Sequence, residues 1–160
     1  MRTIPRIVVT GKKDNQSYIA EDYLATNINT DKLPFIITDI WQTSQMPASL
    51  ERENAIENTL YPSVIKQGTY FRYVHIPPDQ EMGIHYTPQS ALPHPLMHST
   101  PSLDYIIILA GEIYLVTETE ETLLKAGDIV IQRATNHAWS NRSTEPCIQI
   151  AILIDANNGE

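Results

Sequence analysis

Three residues in the second half of the chain have the types and spacing to do chemistry together. His98 and Asp104 lie in MHSTPSLDYIIILAG, residues 97–111, and His137 lies in GDIVIQRATNHAWSN, residues 127–141. Two imidazoles and a carboxylate can donate, accept and orient a proton near neutral pH. With coordination positions left open, the same trio suits non-haem iron or a related divalent metal. In an extended chain, residues two apart face one side, so His98 is joined by Thr100, and His137 by Trp139 and Asn141. Cys147 is the only cysteine, which argues against a cysteine-built structural zinc site and leaves no intramolecular disulfide.

These residues need a scaffold, and the chain reads as a series of short strands. β-branched and alternating stretches occur at 4–10, 17–20, 34–43, 69–76, 105–110, 112–117, 122–125, 127–132 and 147–154, with turn residues between them. That spacing predicts an all-β sandwich or barrel. Residues 21–32 are polar and read as a loop. Ser49, followed by Glu51 and Glu53, predicts a capped surface helix over 49–60 that Pro62 ends. Residues 77–95 carry five prolines and read as a long ordered loop or flap. His85 and His94 lie in that loop and His75 on the strand before it. All three read first as hydrogen-bonded structural residues, and second as groups that complete a metal site. Residues 105–110 and 148–154 are apolar without alternation, so both faces of those strands should be covered. A homodimer would supply the second cover.

A length of 160 residues with 42% hydrophobic and 19% charged content fits one globular domain. The formal net charge of −8 speaks against nucleic acid or an anionic membrane as partner, since both require basic patches. Neither a signal peptide nor a stretch of transmembrane length is evident, and a cytoplasmic protein is expected.

The two pieces around the histidines resemble the paired motifs of the cupin superfamily. In the first motif His98 stands at the first histidine, Thr100 at the second, Asp104 at the glutamate and Gly111 at the closing glycine. In the second, Gly127, His137 and Asn141 match with one residue fewer before the turn, and Ala134 stands where the motif has glycine. The match is strongest to a small single-domain, type-2 group with an MHRT-x-S-x-DY … GTNHAW-NRS pattern. The resemblance implies a cupin-type double-stranded β-helix (a jelly-roll barrel) with N-terminal strands and one or two short surface helices. It implies one domain over 1–160, in which 1–68 join a barrel core at 69–155.

The site then has His98, Asp104 and His137 as catalytic residues, and as ligands of one divalent metal (Fe, Mn, Ni or Zn) if a metal is held. Thr100, Tyr105, Arg133 and Trp139 are expected to line the substrate pocket, with Arg133 placed to meet a carboxylate. Metal cupins resemble three-histidine, one-glutamate sites. Thr100 and Asp104 depart from that pattern and favour weak or absent metal dependence. The expected function is an enzyme acting on a small organic substrate, secondary metabolites included. It would be a lyase, dehydratase or isomerase, or would work with metal assistance. The alternatives are a non-catalytic small-ligand-binding cupin and a non-haem metal dioxygenase.

Overall fold

The computed structural model describes residues 4–29, 35–50, 66–90 and 93–157. Among them are the strands β1 (Arg6–Lys13), β2 (Gln16–Leu24), β3 (Ile28–Asn29), β4 (Ile36–Thr43), β5 (Thr69–Ile76), β6 (Ser102–Ala110), β7 (Glu112–Val116), β8 (Glu121–Lys125), β9 (Ile129–Arg133), β10 (Ala138–Ser140) and β11 (Cys147–Asp155). They form a β1–β2 hairpin, a three-stranded sheet β10–β7–β8 and a six-stranded sheet β3–β4–β5–β11–β6–β9. The all-β, double-stranded β-helix expected from the sequence is the fold observed. The helix expected over 49–60 lies, from residue 51 onward, outside the described residues. No helix among the described residues is long and apolar enough to cross a membrane.

The loop expected over 21–32 is partly strand. β2 continues to Leu24, and β3 pairs with β4. Polarity misleads there because the β1–β2 hairpin has few buried positions, so its side chains need not alternate. Asp22 instead holds Arg6 through two hydrogen bonds of 2.6 and 2.5 Å across the hairpin.

Alternation organises the six-stranded sheet, with register shifts in β4 and at Ile148 of β11. On β11 the side chains of Cys147, Gln149, Ala151 and Leu153 point to the inner face, while Ile148 and Ile150 join a cluster on the outer one. β6 alternates in register with it, so Asp104, Ile106 and Ile108 face inward. The inner core also takes Ile76, Ile113 and Trp139. Burying side chains such as Ile108 and Ile113, each 1% exposed, contributes roughly 1.5–3 kcal/mol apiece. A bulge in β4 between Asp39 and Trp41 puts Ile40 and Trp41 together in the outer cluster, with Tyr73, Phe71 and Ile7 of the hairpin. The chain's own hairpin thus covers part of the sheet's outer face. Farther along, Tyr105 and its register partner Ile131 remain exposed, as does Ile129.

Gly111 makes the crossing from the six-stranded sheet to the three-stranded one. Its φ is +73°, and a Cβ there would lie 2.6 Å from the Pro146 carbonyl oxygen. Both facts demand glycine.

Candidate active site

His98 and His137 meet as an isolated antiparallel bridge. The His98 N–H donates to the His137 carbonyl at 2.9 Å, and the His137 N–H returns the bond at 2.8 Å. Their rings lie 4.4 Å apart, tilted by 48°. Each Nδ1 is 2.9 Å from the carbonyl oxygen two residues earlier, Leu96 for His98 and Thr135 for His137. A carbonyl can only accept, so both Nδ1 atoms carry hydrogen and each Nε2 is the nitrogen available to a ligand. Trp139 packs edge-on to His137 at 5.7 Å.

Both imidazoles line a cavity of about 280 Å³ between the inner face of the large sheet and Trp139 of the facing sheet. Burial holds His137 far below the usual imidazole range, at about 4; the Thr135 hydrogen bond opposes this and the neighbouring His98 adds to it. His137 is therefore neutral at ordinary pH.

The floor of the cavity is polar. Asp104, 4% exposed, accepts from Ser102 Oγ at 2.5 Å and from Gln132 Nε2 at 2.9 Å, with Thr100 Oγ1 at 3.5 Å. Burial pushes the Asp104 carboxyl up, and the bonds from Ser102, Gln132 and Thr100, with the charge of His98, pull it back. Arg72 lines the same floor. It donates through Nε and Nη2 to the two oxygens of buried Asp39 at 2.7 and 3.2 Å. Burial raises the Asp39 carboxyl, and Arg72 opposes that.

The cavity thus gathers His98, Thr100, Asp104, His137 and Trp139 from the expected set. Tyr105 and Arg133 do not line it. Each is the sequence neighbour of an inward residue, Asp104 or Gln132, and so points to the opposite face. His75, His85 and His94 do not line it either. His94 is buried elsewhere, accepting from the Leu96 N–H at 3.2 Å and packing edge-on to Tyr86. Three polar lining residues were not expected: Arg72, Gln132 and Gln149. Each interrupts an otherwise apolar strand, and that interruption was the available signal. Asn141 shares the parity of His137 and Trp139 but lies beyond β10 and turns away to bind the 76–79 and 143–145 segments.

The family model of the cupin domain matches residues 84–153, which hold both imidazoles and Asp104. The matched stretch is a cupin domain. An uncharacterized conserved protein with a double-stranded β-helix domain from Klebsiella pneumoniae superposes with a TM-score of 0.51 at 18% identity, over 83% of this chain and 87% of that one. That likeness is one of fold. Among curated relatives, the phomopsin biosynthesis cluster proteins C' and D of Diaporthe leptostromiformis are each 55% identical over 49 residues, 30% of this chain and 26% of theirs. The aligned stretch spans about a quarter of the length of those two proteins. The oryzines biosynthesis cluster protein J of Aspergillus oryzae is 29% identical over 96% of this chain and 83% of its own. The cupin-domain-containing oxidoreductase fogC of Aspergillus ruber is 30% identical over 74% of this chain and 56% of its own.

A cupin domain raises the question of a metal, and the donor set answers it in part. Among the described residues, no three His, Cys, Asp or Glu side chains are grouped to hold an ion. His98 and His137 are paired, but the oxygens of Asp104 are engaged by Ser102, Gln132 and Thr100. The residues do not fit a three-ligand centre of His98, Asp104 and His137.

Proposed function

We propose that this cupin is an enzyme that moves protons on a small organic molecule held in the barrel cavity, in lyase, dehydratase or isomerase chemistry. The observation that carries the reading is the imidazole pair. Two rings 4.4 Å apart, both anchored at Nδ1, present two Nε2 atoms in a mostly apolar cavity. Two imidazolium charges that close repel, so the pair is suited to one proton rather than two. His137, neutral well above its value of about 4, serves as the base toward a substrate C–H or O–H, and His98 stabilises the charge that develops. Asp104, its carboxyl raised by burial, lies nearer the working range of an acid than an exposed aspartate does. The relatives from two biosynthesis clusters support a substrate of secondary-metabolite type.

Solvent exchange tests this even while the product is unidentified. Incubation in D₂O with a panel of small carbonyl compounds, followed by proton NMR, should reveal substrate C–H positions that the protein deuterates. His137→Gln and His98→Gln should each slow exchange by about 10²–10⁴-fold. Exchange that survives both variants would rule out the imidazole mechanism.

The name of fogC as an oxidoreductase favours a second reading, metal-assisted oxidation. Stoichiometric iron, manganese, nickel or zinc in protein purified without a histidine tag would put that reading first. A ligand-binding cupin without turnover is the outcome if a cavity ligand binds and is never altered. We also propose a homodimer, supported by the open apolar row of Tyr105, Ile129 and Ile131, which are 38%, 65% and 56% exposed. Light scattering that gives a monomer mass contradicts it.

A further inference from the structure

Next to the imidazole pair the cavity floor holds three oxygens in a row. Ser102 Oγ lies 2.9 Å from Thr100 Oγ1 and 2.5 Å from Asp104 Oδ1, whereas Thr100 Oγ1 is 3.5 Å from the other carboxylate oxygen, Oδ2. Ser102 is 0% exposed and does not line the cavity; Thr100 is half-buried and does. Both Asp104 oxygens are already engaged, Oδ1 by Ser102 and Oδ2 by Gln132. The path from the buried carboxyl group to a ligand therefore runs through Ser102 and ends at the Thr100 hydroxyl.

Hydrogen counting gives the row a direction. Ser102 has one hydroxyl hydrogen and two close oxygens, so it donates to one neighbour and accepts from the other. When Asp104 is the carboxylate, Ser102 donates to it, Thr100 donates to Ser102, and the Thr100 oxygen turns a lone pair to the cavity. When Asp104 carries a proton, the row reverses and the Thr100 hydrogen is free for a ligand. Gln132 Nε2 donates to Oδ2 at 2.9 Å, which leaves Oδ1, the oxygen beside Ser102, to hold that proton. The state of a buried acid is thus delivered at a hydroxyl on the cavity wall.

The imidazoles lie at the same end of the cavity. Thr100 follows His98 by two residues, both line the cavity, and the charge of His98 reaches Asp104 and lowers its carboxyl. His98 is in turn bridged to His137. A base and a hydroxyl donor therefore face one ligand from neighbouring positions. That pairing suits removal of a hydrogen from one carbon and of an oxygen from the next.

We infer that Thr100, fed by Asp104 through Ser102, is the acid in the dehydration of a β-hydroxy carbonyl compound. His137 takes the hydrogen of the carbon beside the carbonyl, and the electron pair left behind becomes an enolate. The enolate pair forms the C=C bond as the β C–O bond breaks, and the leaving oxygen takes the Thr100 hydrogen and departs as water. Thr100 regains a hydrogen from Ser102, and Ser102 from Asp104 Oδ1. Asp104 ends as the carboxylate and His137 as the imidazolium; one proton passed back through water restores both. The inference rests on the reading of the imidazole pair as the base, and it adds the substrate class and the acid.

Two isotope labels separate the acid from the base. The probes are two compact, uncharged β-hydroxy ketones, 4-hydroxy-2-pentanone and diacetone alcohol, incubated with the protein in ¹⁸O-enriched D₂O. Deuterium on the carbon between carbonyl and carbinol reports the base; ¹⁸O at the carbinol, read from its ¹³C isotope shift, reports loss and return of water. Trp139 lines the cavity and Trp41 packs in the outer cluster, so their indole N–H signals give a binding reporter and an internal control. Wild type should place both labels. Thr100→Val, which keeps the shape and loses the hydroxyl, should still bind the probes at Trp139. It should lower ¹⁸O uptake by about 10²-fold or more, with a far smaller effect on deuterium. Ser102→Ala should show the same split, and Thr100→Ser should keep both labels. Deuterium without ¹⁸O in the wild type, or equal losses of the two labels in Thr100→Val, overturns the relay and leaves the imidazole base. If neither label enters either probe with the wild type, both claims fall.

Discussion

Buried amides occur in two settings in this molecule, and they differ in how completely they are hydrogen-bonded. Asn141, behind the cavity wall, uses everything it has. Its Nδ2 donates to the carbonyls of Ile76 at 3.0 Å and Glu145 at 2.9 Å, and its Oδ1 accepts from the N–H and hydroxyl of Ser143. Its backbone exchanges bonds with Asp79, which also accepts from the Ser140 hydroxyl. Gln132 and Gln149, nine and eight residues from Asn141 in sequence, each leave an atom unpaired. A saturated buried network fixes one conformation; an unsaturated one beside a cavity waits for a partner. The second cupin motif carries both kinds, with His137 and Trp139 turned to the cavity and Asn141 to the knot.

Truncation should separate the two settings by sign as well as size. Asn141→Ala takes the amide's bonds from the Ile76 carbonyl and the Ser143 N–H, while Ser143 Oγ and Glu145 keep each other, and should destabilise the protein by about 2–4 kcal/mol in urea unfolding. Gln149→Met removes an atom that has no partner to lose, and should be neutral or stabilising by up to about 1 kcal/mol. Equal losses at the two positions would break the distinction.

The cavity was legible in the sequence as far as parity carries. Alternation joined Thr100 to His98 and Trp139 to His137, Asp104 followed from residue type and motif, and all five line the cavity, whereas Asn141, joined by the same alternation, does not. The same alternation excludes Tyr105 and Arg133, yet an aromatic and a cation beside a motif read by residue type as pocket groups. Arg72, Gln132 and Gln149 were visible as polar interruptions of TYFRYVHI, DIVIQR and CIQIAILI. Their inward direction was not, because a one-residue slip of register sends a whole strand to the other face. The bulge in β4 is a slip of this kind and has no mark in IITDIWQT. The Asn141 knot depends on the 76–79 segment, which is distant in sequence and irregular, so pattern reasoning had no period to use there.

His137 stands between the two settings, and acid should expose its cost. Its folded value is about 4, below the ordinary value near 6.5. Between those values the unfolded chain binds the proton and the folded chain does not. The contribution is therefore complete above about pH 6.5 and lost as pH falls toward 4. Asp104 and Asp39 are shifted upward and act in the opposite sense, so a difference measurement is needed. The stability gap between wild type and His137→Gln should change by about 2 kcal/mol between about pH 7.5 and about pH 5, with wild type losing more. A gap that does not vary with pH would mean that His137 is hydrated, and the cavity wetter than its burial indicates.

The smallest effect concerns the turn that delivers His137 to the cavity. Ala134 has φ +51°, a left-handed conformation in which a Cβ costs roughly 1–2 kcal/mol, at the place where the motif carries glycine. Its N–H donates to the Ser102 carbonyl at 2.9 Å, so the turn is tied to the strand that also bears Asp104. Ala134→Gly relieves the strain but frees the unfolded chain, which offsets about 0.4–1 kcal/mol. The net result should be a gain of no more than about 1 kcal/mol, read from the urea midpoint. If the turn is also what holds the imidazoles together, the His98–His137 bridge should loosen in the glycine variant, with faster amide exchange at both residues and weaker probe binding at Trp139. A stability gain without either change would assign the positioning of His137 to its backbone pairing with His98 alone.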